Sequence, residues 1–154
     1  MSEPYGYTIF CDDIRQEVGG KLSFMGAYNG DLHILTGEPF TLPKLAAGMT
    51  VVVPEGIQIT EPIAFALLHE VDGETNELVR AVAEGYELPT SAPAGRIIRV
   101  SLNFQLSPFL VDREAILRAR AYVNGQEVKI GALALHLGPP AGFDTDNPAA
   151  ETAG

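Results

Sequence analysis

The segment ILRARAYVNGQEVKIGALALHL, residues 116–137, decides the fold class. Asn124-Gly125 at its centre suits a two-residue type I′ turn, in which both central residues take positive φ and reverse a strand tightly. That turn sets a register: Leu117 faces Ala132, Ala119 faces Ile130 and Ala121 faces Val128, all apolar. Arg118, Arg120, Tyr122, Glu127 and Lys129 share the opposite side. Period-two patterning on both arms predicts a hairpin with one face on a core. Arg118, Arg120 and Tyr122 are then a candidate interaction face, while Asn124 and Gly125 are structural signature residues.

The alternation continues upstream. Ile98, Val100, Leu102, Phe104 and Leu106 alternate with Arg99, Ser101, Asn103 and Gln105, the signature of a half-buried strand ended by Ser107-Pro108-Phe109. Met49 to Val53 carries consecutive valines and reads as a strand buried on both faces. Asp31 to Leu35 reads as a strand, followed by a Pro-flanked connection over Glu38 to Pro43. Ile63 to Val71 and Leu78 to Tyr86 flank Asp72-Gly73-Glu74-Thr75 and predict a second hairpin around a type I turn. Leu78, Val79, Val82 and Tyr86 also fit helical spacing, but no capping box precedes them and Gly85 interrupts. Pro89 to Gly95 holds enough breakers to be a loop.

The opening hairpin, FCDDIRQEVGGKLSFMGAY over residues 10–28, places two carboxylates in an apolar strand. With Val18, Gly19 and Gly20 as the loop, the pairs are Phe10 with Tyr28, Asp12 with Gly26, Ile14 with Phe24 and Gln16 with Leu22, and Glu17 meets Lys21 as a favourable charge pair. Neighbouring strand residues point opposite ways, so Asp12 and Asp13 are not a catalytic dyad. Asp12 is expected inward beside Gly26, buried and accepting hydrogen bonds, and Asp13 is expected in solvent. Asp12, Gly19, Gly20 and Gly26 complete the structural signature.

About eight or nine strands without a confident helix predict an all-β fold, an antiparallel β-sandwich, with a closed β-barrel as the alternative. One domain is expected over residues 1–138, followed by an acidic tail rich in Pro, Ala and Gly over 139–154. The 154 residues include 20 acidic and 10 basic side chains, a formal charge of -10, which disfavours nucleic-acid phosphates and anionic membrane surfaces. Arg96, Arg99, Arg113, Arg118 and Arg120 cluster in the sequence but alternate with strand residues, which suits a solvated sheet face. Nothing resembles a basic, apolar leader, and the longest apolar run, Ile63 to Leu68, is too short to span a bilayer. A cytoplasmic or virion-associated location is expected.

Cys11 lies in a strand between Phe10 and Asp12 and reads as a small buried hydrophobe. His33, His69 and His136 are far apart and lack metal-ligand spacing. Asp144-x-Asp146-Asn147 resembles the start of a calcium loop without its glycine and distal glutamate. Gly19-Gly20-Lys21 lacks the other members of a phosphate loop, and no nucleophile elbow occurs. Glu70, Glu84 and Asp12 are candidate strand carboxylates for a hydrolase only by residue type. No enzyme activity, metal or cofactor is expected.

The stretch Phe10-Cys11-Asp12-Asp13-Ile14-Arg15-x-Glu17-x-Gly19-Gly20-Lys21 carries a resemblance, together with Ser107-Pro108-Phe109 and Leu117-Arg118-x-Arg120-Ala121-Tyr122-x-x-Gly125-x-Glu127. In these residues, and over about residues 5–137, the chain resembles a family of small bacterial and bacteriophage proteins known only as a domain of unknown function. The resemblance brings no catalytic or binding residue with it. It implies a virion or assembly role.

A non-enzymatic structural or binding module, with a protein partner or a homo-oligomer, is the expected function. A ligand- or carbohydrate-binding sandwich would need Tyr5, Tyr7, Tyr28, Tyr86 or Tyr122 gathered in one concave patch. A hydrolase would need two acids, or an acid and a histidine, converging in one pocket.

Overall fold

A computed structural model describes residues 2–83 and 94–143. Eleven strands run in order: β1 (Tyr5–Gln16), β2 (Leu22–Ala27), β3 (Asp31–Ile34), β4 (Phe40–Leu42), β5 (Leu45–Val53), β6 (Ala64–Val71), β7 (Glu74–Val82), β8 (Ile98–Leu106), β9 (Phe109–Val111), β10 (Ala115–Val123) and β11 (Gln126–Leu137). A four-stranded sheet in the order β2-β1-β5-β8 packs on a five-stranded sheet in the order β3-β11-β10-β6-β7. Neither sheet closes on itself, so the fold is a β-sandwich and not a barrel. Every strand pair is antiparallel except β3 with β11. Among the described residues no helix is long and apolar enough to cross a membrane.

The alternating faces meet in one core in which Met49, Val51, Phe65, Leu67, Leu117 and Leu133 are fully buried. Residues of β5 are buried along its whole length, as its valines predict, because the strand lies between β1 and β8 and its outward positions are small. Gly48 is one of these; the Phe24 ring and the Asn103 side chain fill the space a Cβ would need. β8 shows the expected two-fold alternation of buried and exposed residues.

Two strands were not foreseen. Phe40–Leu42, inside the Pro-flanked connection, pairs with Phe109–Val111, directly after the Ser107-Pro108 breaker. Each is three residues long, too short for period-two patterning to register. β7 is a strand, but it begins at Glu74 and faces Val71 across Asp72 and Gly73. Both loop residues have positive φ, 51° and 79°, so the turn is type I′ and not type I. The far part of that arm, to Tyr86, and the loop over Pro89 to Pro93 lie outside the described residues, as does the tail from residue 144 with its Asp144-x-Asp146-Asn147.

The β10–β11 hairpin turns at Asn124 and Gly125 with φ of 52° and 74°, and Ala121 faces Val128 as expected. Beyond Arg120 and Lys129 the register slips by one residue. Ala119 therefore faces Gly131, not Ile130, and Leu117 faces Leu133, not Ala132. The slip is a β-bulge accommodated at Gly131, whose φ is 144°. A Cβ there would stand 3.2 Å from the Thr8 Cβ, so the bulge also lets β11 approach β1 where the two sheets meet.

Candidate functional site

β3 and β11 run parallel, with His33 opposite His136 and Asp31 opposite Ala134. This one pairing joins histidines that are remote in sequence. Their rings stack with centroids 4.4 Å apart and planes 13° from parallel. His136 Nε2 lies 2.8 Å from Asp31 Oδ1, and His136 Nδ1 lies 3.1 Å from Glu114 Oε2. Glu114 is itself fixed, because its other oxygen accepts the Leu137 N–H at 2.8 Å. His33 Nδ1 lies 3.0 Å from the Gly138 carbonyl oxygen. The Asp31 carboxylate above all, with Glu114 adding to it, pushes the His136 imidazole above its ordinary pKa despite the opposing effect of burial.

His136 and Glu114 line an open cleft of about 330 Å³ that also receives Glu70 and Asp72. His69, the third histidine, lies in a different, polar cleft with Asp112 and Arg113. His33 and His136, far apart in sequence and without metal-ligand spacing, are thus brought together by the fold. Sequence spacing could not show it, since only a long-range parallel pairing brings them level.

The opening hairpin keeps its expected register from Cys11 with Ala27 to Gln16 with Leu22, and Gly19 and Gly20 supply positive φ in the loop. The faces differ from expectation. Asp12 is exposed, not buried, although it lies against Gly26 and accepts a hydrogen bond from the Tyr28 hydroxyl at 2.6 Å. Burial, and then this carboxylate, push the Tyr28 phenol well above its ordinary pKa. Asp13, expected in solvent, is the ion-paired acid, 2.9 Å from Lys44 Nζ and 3.1 Å from Arg15 Nε. Lys44, followed by Arg15, holds the Asp13 carboxyl below the usual range. β1 pairs with β5 only as far as Cys11, so Asp12 lies beyond the strand that would cover it, while Lys44, next to β5, reaches Asp13. Cys11 is buried as expected, which raises its thiol pKa.

Arg118, Arg120 and Tyr122 do share a sheet face, but not as free groups. Arg118 pairs with Glu70, and the Arg80 guanidinium lies 4.2 Å from the centre of the Tyr122 ring. Arg120, expected in solvent, is buried at 6% exposure, with its Nε 3.1 Å from Glu127 and its Nη1 on the Ala119 carbonyl at 2.9 Å. The face is largely neutralised from within. Asn124 does more than turn the chain: its Oδ1 accepts from the Thr60 N–H and hydroxyl at 2.8 and 3.0 Å, and its Nδ2 donates to the Gln58 carbonyl at 2.7 Å. The described tyrosines do not gather: Tyr28 pairs with Asp12, Tyr122 packs under Arg80, and Tyr5 and Tyr7 stand exposed on β1.

The sheet edges form a second candidate surface. β3 is four residues long, and β2 is six residues long with left-handed Gly26 near its end. β7 carries Glu74, Glu77 and Arg80 and a register irregularity against β6. These are devices by which sheets avoid edge-to-edge pairing. β8 has none of them: nine residues in unbroken register with β5, without proline, and with Arg99 as its one charge. Among the described residues no strand pairs with its other side.

No family model matches the chain, and no curated protein matches it.

Proposed function

We propose that the protein is a non-enzymatic structural module that self-associates, and that its contact is the outer edge of β8, unpaired among the described residues, pairing antiparallel with β8 of a second copy. The observation that carries this reading is the contrast between the edges. Long open strands offer a row of unpaired N–H and C=O groups, and three of the four edges of the two large sheets are short, interrupted or charged. A two-fold pairing of β8 would extend the four-stranded sheet across both copies, with the same residues on each side. The exposed side chains that would flank this seam are Arg99 and the neutral Ser101, Asn103 and Gln105, with no acidic group among them, so it escapes most of the repulsion between chains of charge -10.

Light scattering on the purified chain tests it. The expected result is a dimer or larger species that grows with concentration and with salt, which screens the residual charge repulsion. Asn103→Lys with Gln105→Lys, both at exposed positions, is expected to give a folded monomer. A wild-type chain that stays monomeric at every concentration and salt level overturns the reading.

A further inference from the structure

The β3–β11 seam carries an inference independent of the free edge. His33 and His136 stand level on neighbouring strands, with Asp31 two positions back on β3. Each imidazole is oriented through Nδ1, His33 by the Gly138 carbonyl and His136 by the Glu114 carboxylate. Acceptors at those positions place the proton on Nδ1 and leave Nε2 with its lone pair, the arrangement by which outer groups orient metal-ligating histidines. His136 Nε2 then faces the Asp31 carboxylate at 2.8 Å. Two acceptor atoms so close need a cation between them, either a proton or a metal ion.

One donor atom from each of Asp31, His33 and His136 lies within 4.8 Å of the others. A tetrahedral ion with bonds of about 2.0–2.2 Å needs its ligand atoms about 3.4 Å apart. Reaching that spacing requires the two stacked, half-buried rings to turn toward a common point and the exposed Asp31 side chain to follow. Two imidazoles with one carboxylate suit first-row transition ions, whereas calcium and magnesium prefer all-oxygen sets. Asp72 and Glu114 around the adjoining cleft favour the approach of a cation.

We propose that Asp31, His33 and His136 bind a divalent transition-metal ion such as zinc, with Glu114 and the Gly138 carbonyl as positioning groups. Three protein ligands leave a coordination position for water or a further donor. An ion here clamps the four-residue edge strand β3 onto β11.

The experiment uses the full chain, free of any histidine tag and stripped of metal, titrated with Zn(II) and Co(II) by calorimetry while the thermal midpoint is followed. Saturable uptake of one ion per chain is expected, with a raised midpoint and visible absorption from bound Co(II). His33→Ala and Asp31→Asn are each expected to weaken binding by about tenfold or more, and Glu114→Gln by about 10–100-fold. His69→Ala should bind as the wild type does. If His33→Ala fails to fold by circular dichroism, the isosteric Asp31→Asn at an exposed position carries the test. The proposal is overturned by absence of saturable uptake of either ion, by uptake unchanged in Asp31→Asn, or by loss of uptake in His69→Ala.

Discussion

At the scale of single residues, adjacent carboxylates in one strand have different surroundings. Asp12 caps the Tyr28 hydroxyl in solvent, while Asp13 is held by Lys44 and Arg15. A carboxyl with a lowered folded-state pKa contributes stability that is present above its unfolded pKa and is lost as pH falls through its folded one. Asp13→Asn should therefore lower the urea midpoint at neutral pH and flatten its fall on acidification, and a pH profile identical to wild type would contradict this. Asn124 combines positive φ with three hydrogen bonds to Gln58 and Thr60. Asn124→Ala should cost about 2–3 kcal/mol in denaturant unfolding, through the lost bonds and the strained backbone. Asn124→Gly loses the same bonds but keeps the conformation and should cost less, so equal losses would show that backbone strain at this position contributes nothing.

At the scale of elements, the Asn124-Gly125 turn and the opening loop at Gly19-Gly20 were legible because glycine and asparagine chemistry is local. The β8 alternation was legible for the same reason. The bulge in β11 was not read, although Gly131 inside a strand is a signal for one. Gly131→Ala should destabilise by about 2 kcal/mol, since the new Cβ meets Thr8 and the backbone has φ 144°. A chemical-denaturation midpoint unchanged from wild type would refute that role for the bulge. The Asp12 and Asp13 environments escaped the sequence reading because where the β5 pairing ends, at Cys11, and the approach of Lys44 are set by tertiary structure and not by local alternation. The His33 and His136 stack escaped it because parallel pairing between β3 and β11 leaves no mark in local spacing.

At the scale of the whole molecule, period-two patterning leads to two packed sheets, and the sandwich form leaves edges that a closed barrel would lack. Charge, a bulge or short length guards three of them, and β8 stands open among the described residues. The account therefore locates self-association in one strand, a claim that amide hydrogen exchange resolves directly. Exchange is measured for β7 and β8 amides over a range of protein concentrations. The account predicts that β8 amides not bonded to β5 gain protection as concentration rises, while the outer amides of β7 remain as they were. Equal, concentration-independent exchange along both edges would contradict it.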